Sequence, residues 1–119
     1  MIKDPFVYIE HISACIDRIK EYTNGVDESR FLKDNLIQDA VIRNFEIIGE
    51  ATKKLDEDFR IMYAHVEWKK IAGMRDKLIH DYIGVDIGLF GELLKTSFPY
   101  SIPIFDSQMK EILKKEKGL

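Results

Sequence analysis

Residues 35–55 read NLIQDAVIRNFEIIGEATKKL, and their apolar members recur at the helical interval. Ile37, Val41, Phe45, Ile48 and Leu55 fall on one face, while Asp39, Arg43, Glu46 and Glu50 form the opposite, polar stripe. A strand would alternate at every second position, and this stretch does not. The spacing predicts a helix from about Asn35 to Leu55 with one buried face. Gly49 lies inside it, where glycine costs up to about 1 kcal/mol relative to alanine. Close approach by a neighbouring helix would offset that cost.

The same period continues on both sides. Toward the N-terminus, Asp4 is a predicted helix cap and Pro5 suits the first helical position. Ile9, Ile12, Ile16 and Ile19 follow at three- and four-residue spacing, and Asn24-Gly25 offers the left-handed conformation that ends such a helix. The segment from Asp27 to Asp34 is expected to hold a short helical turn carrying Phe31 and Leu32. Toward the C-terminus, residues 56–66 show no period and are expected to form a connecting loop. A further helix is predicted from Glu67 to about Tyr82, with Trp68, Ile71, Leu78 and Tyr82 inward. Gly84 punctuates it, and Asp86 can cap a helix carrying Ile87, Phe90, Leu93 and Leu94. Pro99 and Pro103 interrupt the chain, because neither fits a helix interior. Pro103 is expected to open a last helix through Phe105, Met109, Ile112 and Leu113, whose Lys114, Lys115 and Lys117 suit the negative end of the helix dipole. There is no alternating apolar run and no visible repeat of about 20–50 residues. The expectation is an all-α, antiparallel bundle of four to five helices forming one domain over residues 1–119.

Composition agrees with a packed helical domain. The 119 residues are 45% hydrophobic and 33% charged, with seven Gly and three Pro, which excludes disordered and collagen-like chains. Eighteen basic and twenty-one acidic side chains leave a formal charge of −3, so any nucleic-acid contact must come from a local patch. Cys15 is the sole cysteine, which excludes an intrachain disulfide and a multi-cysteine zinc site. Met1 to Pro5 lacks the apolar run of a signal peptide, and no stretch approaches the roughly 18 apolar residues of a spanning helix. A cytoplasmic protein with no membrane association is the expectation.

The common phosphate-loop, nucleophile-elbow, zincin and dinucleotide motifs are missing. His11 and Cys15 stand four apart on one helix face, but without further ligands they suit an imidazole that packs or meets solvent and a small apolar residue better than a metal site. Glu46 and Glu50 also share a face, and with Asp39 and Arg43 they read as a solvated stripe. The stretch WKKIAGMRDKLIHDY, residues 68–82, differs from the rest: Lys69 to His80 carries four basic side chains against one acidic. Arg75 can fork onto phosphate oxygens, His80 titrates near neutrality, and Tyr82 brings a hydroxyl or a stacking face. Arg75 and His80 lie about 140° apart around a helix, whereas Asp76 and His80 align and Asp76 could hold the imidazole tautomer. Two copies of the segment across a symmetric dimer would bring Arg and His together. Composition leaves open that Arg75 and His80 make surface salt bridges with Asp76 and Asp81. Lys69, Lys70 and Lys77 are candidate phosphate guides, or ordinary solvated lysines.

Arg75-x-x-x-x-His80-x-Tyr82 resembles the R-x-x-x-x-H-x-Y signature of HEPN-domain proteins, specifically the HepT-like toxins. The block Asp39-Ala-Val-x-x-Asn44-Phe-x-x-Ile48-Gly49-Glu50-Ala51 and the lead-in Trp68-x-x-Ile71-x-Gly73-Met74 are similar to that family's, as is the follow-on Val85-Asp86. Asp76 departs from relatives that carry a neutral polar residue there. The resemblance implies a HEPN-like helical bundle that pairs as a homodimer, with both protomers' Arg–His motifs lining one cleft. It implies a metal-independent endoribonuclease, without cofactor, acting as the toxin of a type VII-like toxin–antitoxin system. Arg75 and His80 would be catalytic and Asp76 supporting. A minimal nucleotidyltransferase antitoxin would bind the toxin and restrain it by AMPylation of Tyr82. The alternative is a non-catalytic HEPN module that presents a nucleotide or substrate to such a nucleotidyltransferase.

Overall fold

The computed structural model describes residues 4–73 and 102–118. Six helical segments make up these residues: α1 (Pro5–Thr23), α2 (Glu28–Lys33), α3 (Asn35–Lys54), α4 (Glu57–Met62), α5 (68–73) and α6 (Ile102–Glu116). No strand occurs among the described residues, so the fold class is all-α.

Aspartates set the helix starts. A carboxylate just ahead of the first turn accepts from amides that have no intrahelical partner. Asp4 accepts from Phe6 N at 2.9 Å, Asp27 from Arg30 N at 2.8 Å, Asp34 from Ile37 N at 3.1 Å and Asp56 from Phe59 N at 2.8 Å. At the end of α1 the chain turns through Asn24, which is extended, and Gly25, whose φ of 72° is the left-handed conformation predicted there.

α1 packs along α3 and also along α6. Ile9, Ile12, Ile16 and Ile19 of α1 are buried together with Val41, Phe45 and Ile48 of α3 and Phe105, Met109 and Ile112 of α6. Each fully buried side chain of this size contributes roughly 1.5–3 kcal/mol of transfer free energy. Lys110 fixes the α1–α6 pairing: its Nζ donates to Ser13 Oγ at 2.9 Å and to Asp17 Oδ1 at 3.0 Å. Lys20 meets Asp106 at 3.0 Å. Because later residues of α1 meet earlier residues of α6, the two helices run antiparallel. Gln38 ties α2 to α3 by donating to the Phe31 carbonyl at 2.8 Å.

Two boundaries differ from the sequence expectation. Residues 56–66 were expected to be loop, yet α4 forms within them, capped by Asp56 and inserting Phe59 into the core. Six residues present too few positions for a period to register. Tyr63 and Val66 beyond α4 are buried as well. The last helix starts at Ile102 rather than Pro103, because Ile102 is itself a core residue and proline tolerates the first turn. In α2, Phe31 is buried but Leu32 is largely exposed. Gly49 is buried within α3, as its place on the apolar side requires. The predicted continuation to Tyr82 with Leu78 inward, the Gly84 punctuation, the helix after Asp86 and the Pro99 break lie outside the described residues. No helix among the described residues is long and apolar enough to cross a membrane.

Candidate active site

The lead-in to the Arg75–His80 motif is held by aromatic packing. Phe59 of α4 meets Phe6 of α1 edge-on at 5.7 Å between centroids, and it lies 4.9 Å from Tyr63 and 6.4 Å from Trp68. The Trp68 indole N–H donates to the Tyr63 carbonyl at 3.0 Å, so the ring is both buried and satisfied. Ile71 N donates to Glu67 O at 3.1 Å, which closes the first turn of α5. Trp68 and Ile71, three residues apart, are both in the core. That fixes the rotation of α5 and turns Lys69, Lys70 and Gly73 to solvent.

Lys69 and Lys70 are therefore exposed on α5. Among the described residues no carboxylate pairs with either lysine, although Glu67 stands only three positions before Lys70. Gly73 was quoted in the sequence only as part of the lead-in. In the structure it is helical and exposed, its φ is not positive, and a Cβ added to it would meet nothing within 4 Å among the described residues. Arg75, Asp76, Lys77, His80 and Tyr82 lie outside the described residues.

The first block of the resemblance occupies α3. Ile48, Gly49 and Ala51 are buried and Asp39 and Glu50 exposed. Asn44 is buried: its Nδ2 donates to the Ala40 carbonyl at 2.8 Å, but its Oδ1 has no hydrogen-bond partner among the described residues. Arg43 reaches Glu46 at 3.8 Å, in keeping with a solvated stripe.

His11 and Cys15 part company despite their spacing. His11 is exposed, while Cys15 is a core residue whose thiol is pushed above its ordinary pKa by burial, against the opposing pull of the Arg18 and Arg43 guanidinium groups. Among the described residues no group of three or more His, Cys, Asp or Glu is placed to hold a metal ion. At the end of α6, Lys115 pairs with Glu111 at 3.4 Å, as a charged helix terminus should.

A chain helical in its described residues, with exposed lysines just ahead of an R-x-x-x-x-H-x-Y sequence, falls in the class of small all-α proteins. The comparisons with known proteins make the class specific: the family described as "Ribonuclease HepT-like" matches residues 12–112, and the chain belongs to this ribonuclease family. A protein of Caldanaerobacter subterraneus subsp. tengcongensis named "Putative RNase" is 43% identical over 116 residues, covering 98% of this chain and 100% of its own length. The "Probable ribonuclease HepT" of Thermococcus cleftensis is 42% identical over 92 residues, or 77% of this chain and 84% of that protein. A Methanocaldococcus jannaschii protein named "Gamma-glutamylcyclotransferase and putative RNase" is 48% identical over 99 residues, 83% of this chain but 45% of that protein, so the chain spans less than half of its length. No solved structure matches the chain.

Proposed function

We propose that the protein is a metal-independent endoribonuclease and the toxin of a toxin–antitoxin pair, with Arg75 and His80 catalytic. The observation that carries this is a family match extending through Arg75-x-x-x-x-His80-x-Tyr82, in a chain whose helix leading into that stretch is anchored in the core and bears exposed lysines. In the proposed chemistry His80 takes the proton of an RNA 2′-hydroxyl, whose oxygen attacks the adjacent phosphorus. The 5′-oxygen leaves with a proton from the imidazolium, and a 2′,3′-cyclic phosphate remains. Arg75 stabilises the charge that develops on the non-bridging oxygens. Asp76, four residues before His80, acts as its positioning residue. Arginine and histidine meet across a homodimer in this scheme, since about 140° separates them on one helix. Lys69, Lys70 and Lys77 guide the RNA backbone.

Restraint falls to Tyr82. A nucleotidyltransferase antitoxin would let the Tyr82 hydroxyl attack the α-phosphorus of ATP, releasing pyrophosphate and leaving AMP on the phenolic oxygen. The added bulk and negative charge, two residues from His80, would close the site to RNA phosphate. The gain of one AMP mass on coexpression, lost in Tyr82→Phe, is the expected result.

The decisive test is RNA cleavage in EDTA by the purified chain. Cleavage should persist, spare DNA for want of the 2′-hydroxyl, and fall by about 10²–10⁴ in His80→Ala with unchanged circular dichroism. Strict dependence on a divalent metal, or full activity in His80→Ala, rejects the mechanism. Growth arrest on expression without the antitoxin, relieved by His80→Ala, separates a toxin enzyme from a non-catalytic binding module.

A further inference from the structure

Residues 63–67 join α4 to α5, and hydrogen bonds gather that connection onto one carbonyl. Tyr63 N donates to the Phe59 carbonyl at 3.2 Å and so closes α4. The Tyr63 carbonyl in turn accepts from Val66 N at 3.1 Å and from the Trp68 indole N–H at 3.0 Å. A backbone carbonyl has two lone pairs, and here one is taken by the turn and the other by the side chain that opens α5. Trp68 N also donates to the Val66 carbonyl, at 2.9 Å.

Burial alone does not call for tryptophan at this position. A phenylalanine would also place a ring beside Phe59; what the indole adds is a directed donor. The ring is 5% exposed, so α5 cannot turn about its axis without breaking the bond or drawing the indole toward water. Gly73 stands five positions after Trp68, and Arg75 follows two positions later. We propose that Trp68 is a positioning residue for RNA cleavage: its bond to Tyr63 fixes the rotation with which the chain runs through α5 toward Arg75 and His80. It acts through the residues that follow it and not on the RNA itself. A misplacement of about 1 Å at a reacting group can lower a rate about 10²-fold, so one directed bond at the root of the helix is enough to matter. The inference rests on the ribonuclease reading and adds a residue to it.

Trp68 is the sole tryptophan, so analogues supplied in its place alter one site only. Benzothienylalanine keeps the fused ring and replaces the N–H by sulfur, whereas azatryptophan keeps the N–H. Cleavage of a labelled oligoribonucleotide is followed at a temperature where circular dichroism reports every variant folded. The sulfur analogue and Trp68→Phe should lower kcat about 10- to 10²-fold and leave KM within about twofold. Azatryptophan should keep kcat within about twofold of the wild type. Ile112→Val and Ile112→Ala, in the core on α6, bracket the loss of Tm without touching the bond and should keep kcat. Wild-type kcat in the sulfur analogue overturns the positioning role and leaves the ribonuclease reading intact. So does a fall in kcat that the Ile112 variants share at equal loss of Tm, or a rise in KM alone. A wild-type chain that does not cut RNA removes both readings together.

Discussion

Cys15 shows how a single residue's surroundings decide its chemistry. It is 1% exposed among the isoleucines of α1, and Arg18 Nη1 stands 3.9 Å from its sulfur. Burial raises its pKa more than the two neighbouring guanidinium groups lower it, so the native thiol resists ionisation. The linkage follows in sign: the unfolded thiol ionises first as pH rises, near its ordinary value of 9.0, so this contribution to stability is complete below that pH and is lost as pH climbs toward the higher native value. A thiol reagent at pH 8 should label Cys15 only at the rate of unfolding, and unfolding midpoints measured from pH 8 to 10 should fall more in the wild type than in Cys15→Ala. Asn44 poses the opposite case. Its buried Oδ1 lacks a partner among the described residues while its Nδ2 is satisfied within α3, so the amide contributes little net stability. Asn44→Leu should unfold within about 1 kcal/mol of the wild type in urea, whereas Asn44→Asp, burying a charge at the same place, should cost more. Asn44 is buried on α3 although the apolar spacing does not single it out. The orphaned oxygen is invisible in sequence, because satisfaction depends on neighbours that sequence order does not name.

At the scale of elements, what reads out of the sequence is whatever is encoded locally. Asp4 capping α1, the left-handed Gly25, the isoleucine stripe of α1 and the Val41–Phe45–Ile48 face of α3 each rest on residues within two turns of one another. α4 escapes such reading because a helix of six residues buries one side chain, and its stability comes from tertiary contacts. Phe59 is that side chain, at 6% exposure and in contact with Phe6, Tyr63 and Trp68. Phe59→Ala should cost about 3–5 kcal/mol, and Asp56→Ala, which removes only the cap, about 1 kcal/mol, both read from denaturant midpoints. Since Trp68 begins α5, Phe59→Ala should also loosen the lysine-bearing helix and reduce RNA cleavage at temperatures where circular dichroism still reports a folded chain. Lys110 works between helices: partial burial opposes its charge, but the carboxylates of Asp17 and Asp106 outweigh that and raise its pKa. With its side chain 48% exposed, the network is screened by solvent, and Lys110→Met should cost no more than about 1 kcal/mol.

Taken as a whole, the molecule sets a local problem of charge against a global one. The chain carries −3 overall, so a polyanion is repelled at long range and held only where cations are concentrated. The candidate motif stands out in the sequence because that concentration, with Arg75, His80 and Tyr82, falls within one short stretch, and those three residues lie outside the described ones. About 140° would separate Arg75 and His80 on a single helix, so the proposed shared site calls for a second copy, which one sequence does not display. The salt dependence of RNA binding converts this into a measurement. Each neutralised phosphate on a single strand contributes a slope of about −0.7 in log binding constant against log salt. Lys69, Lys70, Lys77 and Arg75 of one protomer would give at most about −3, and a cleft built from two protomers at most about −6. A wild-type slope steeper than −3, falling to half or less in a Lys69→Ala, Lys70→Ala double variant, is the outcome expected of an RNA seated across a pair of chains. A slope near zero would mean that these cations do not hold the substrate, and a slope that never exceeds one protomer's share would place the whole contact within a single chain.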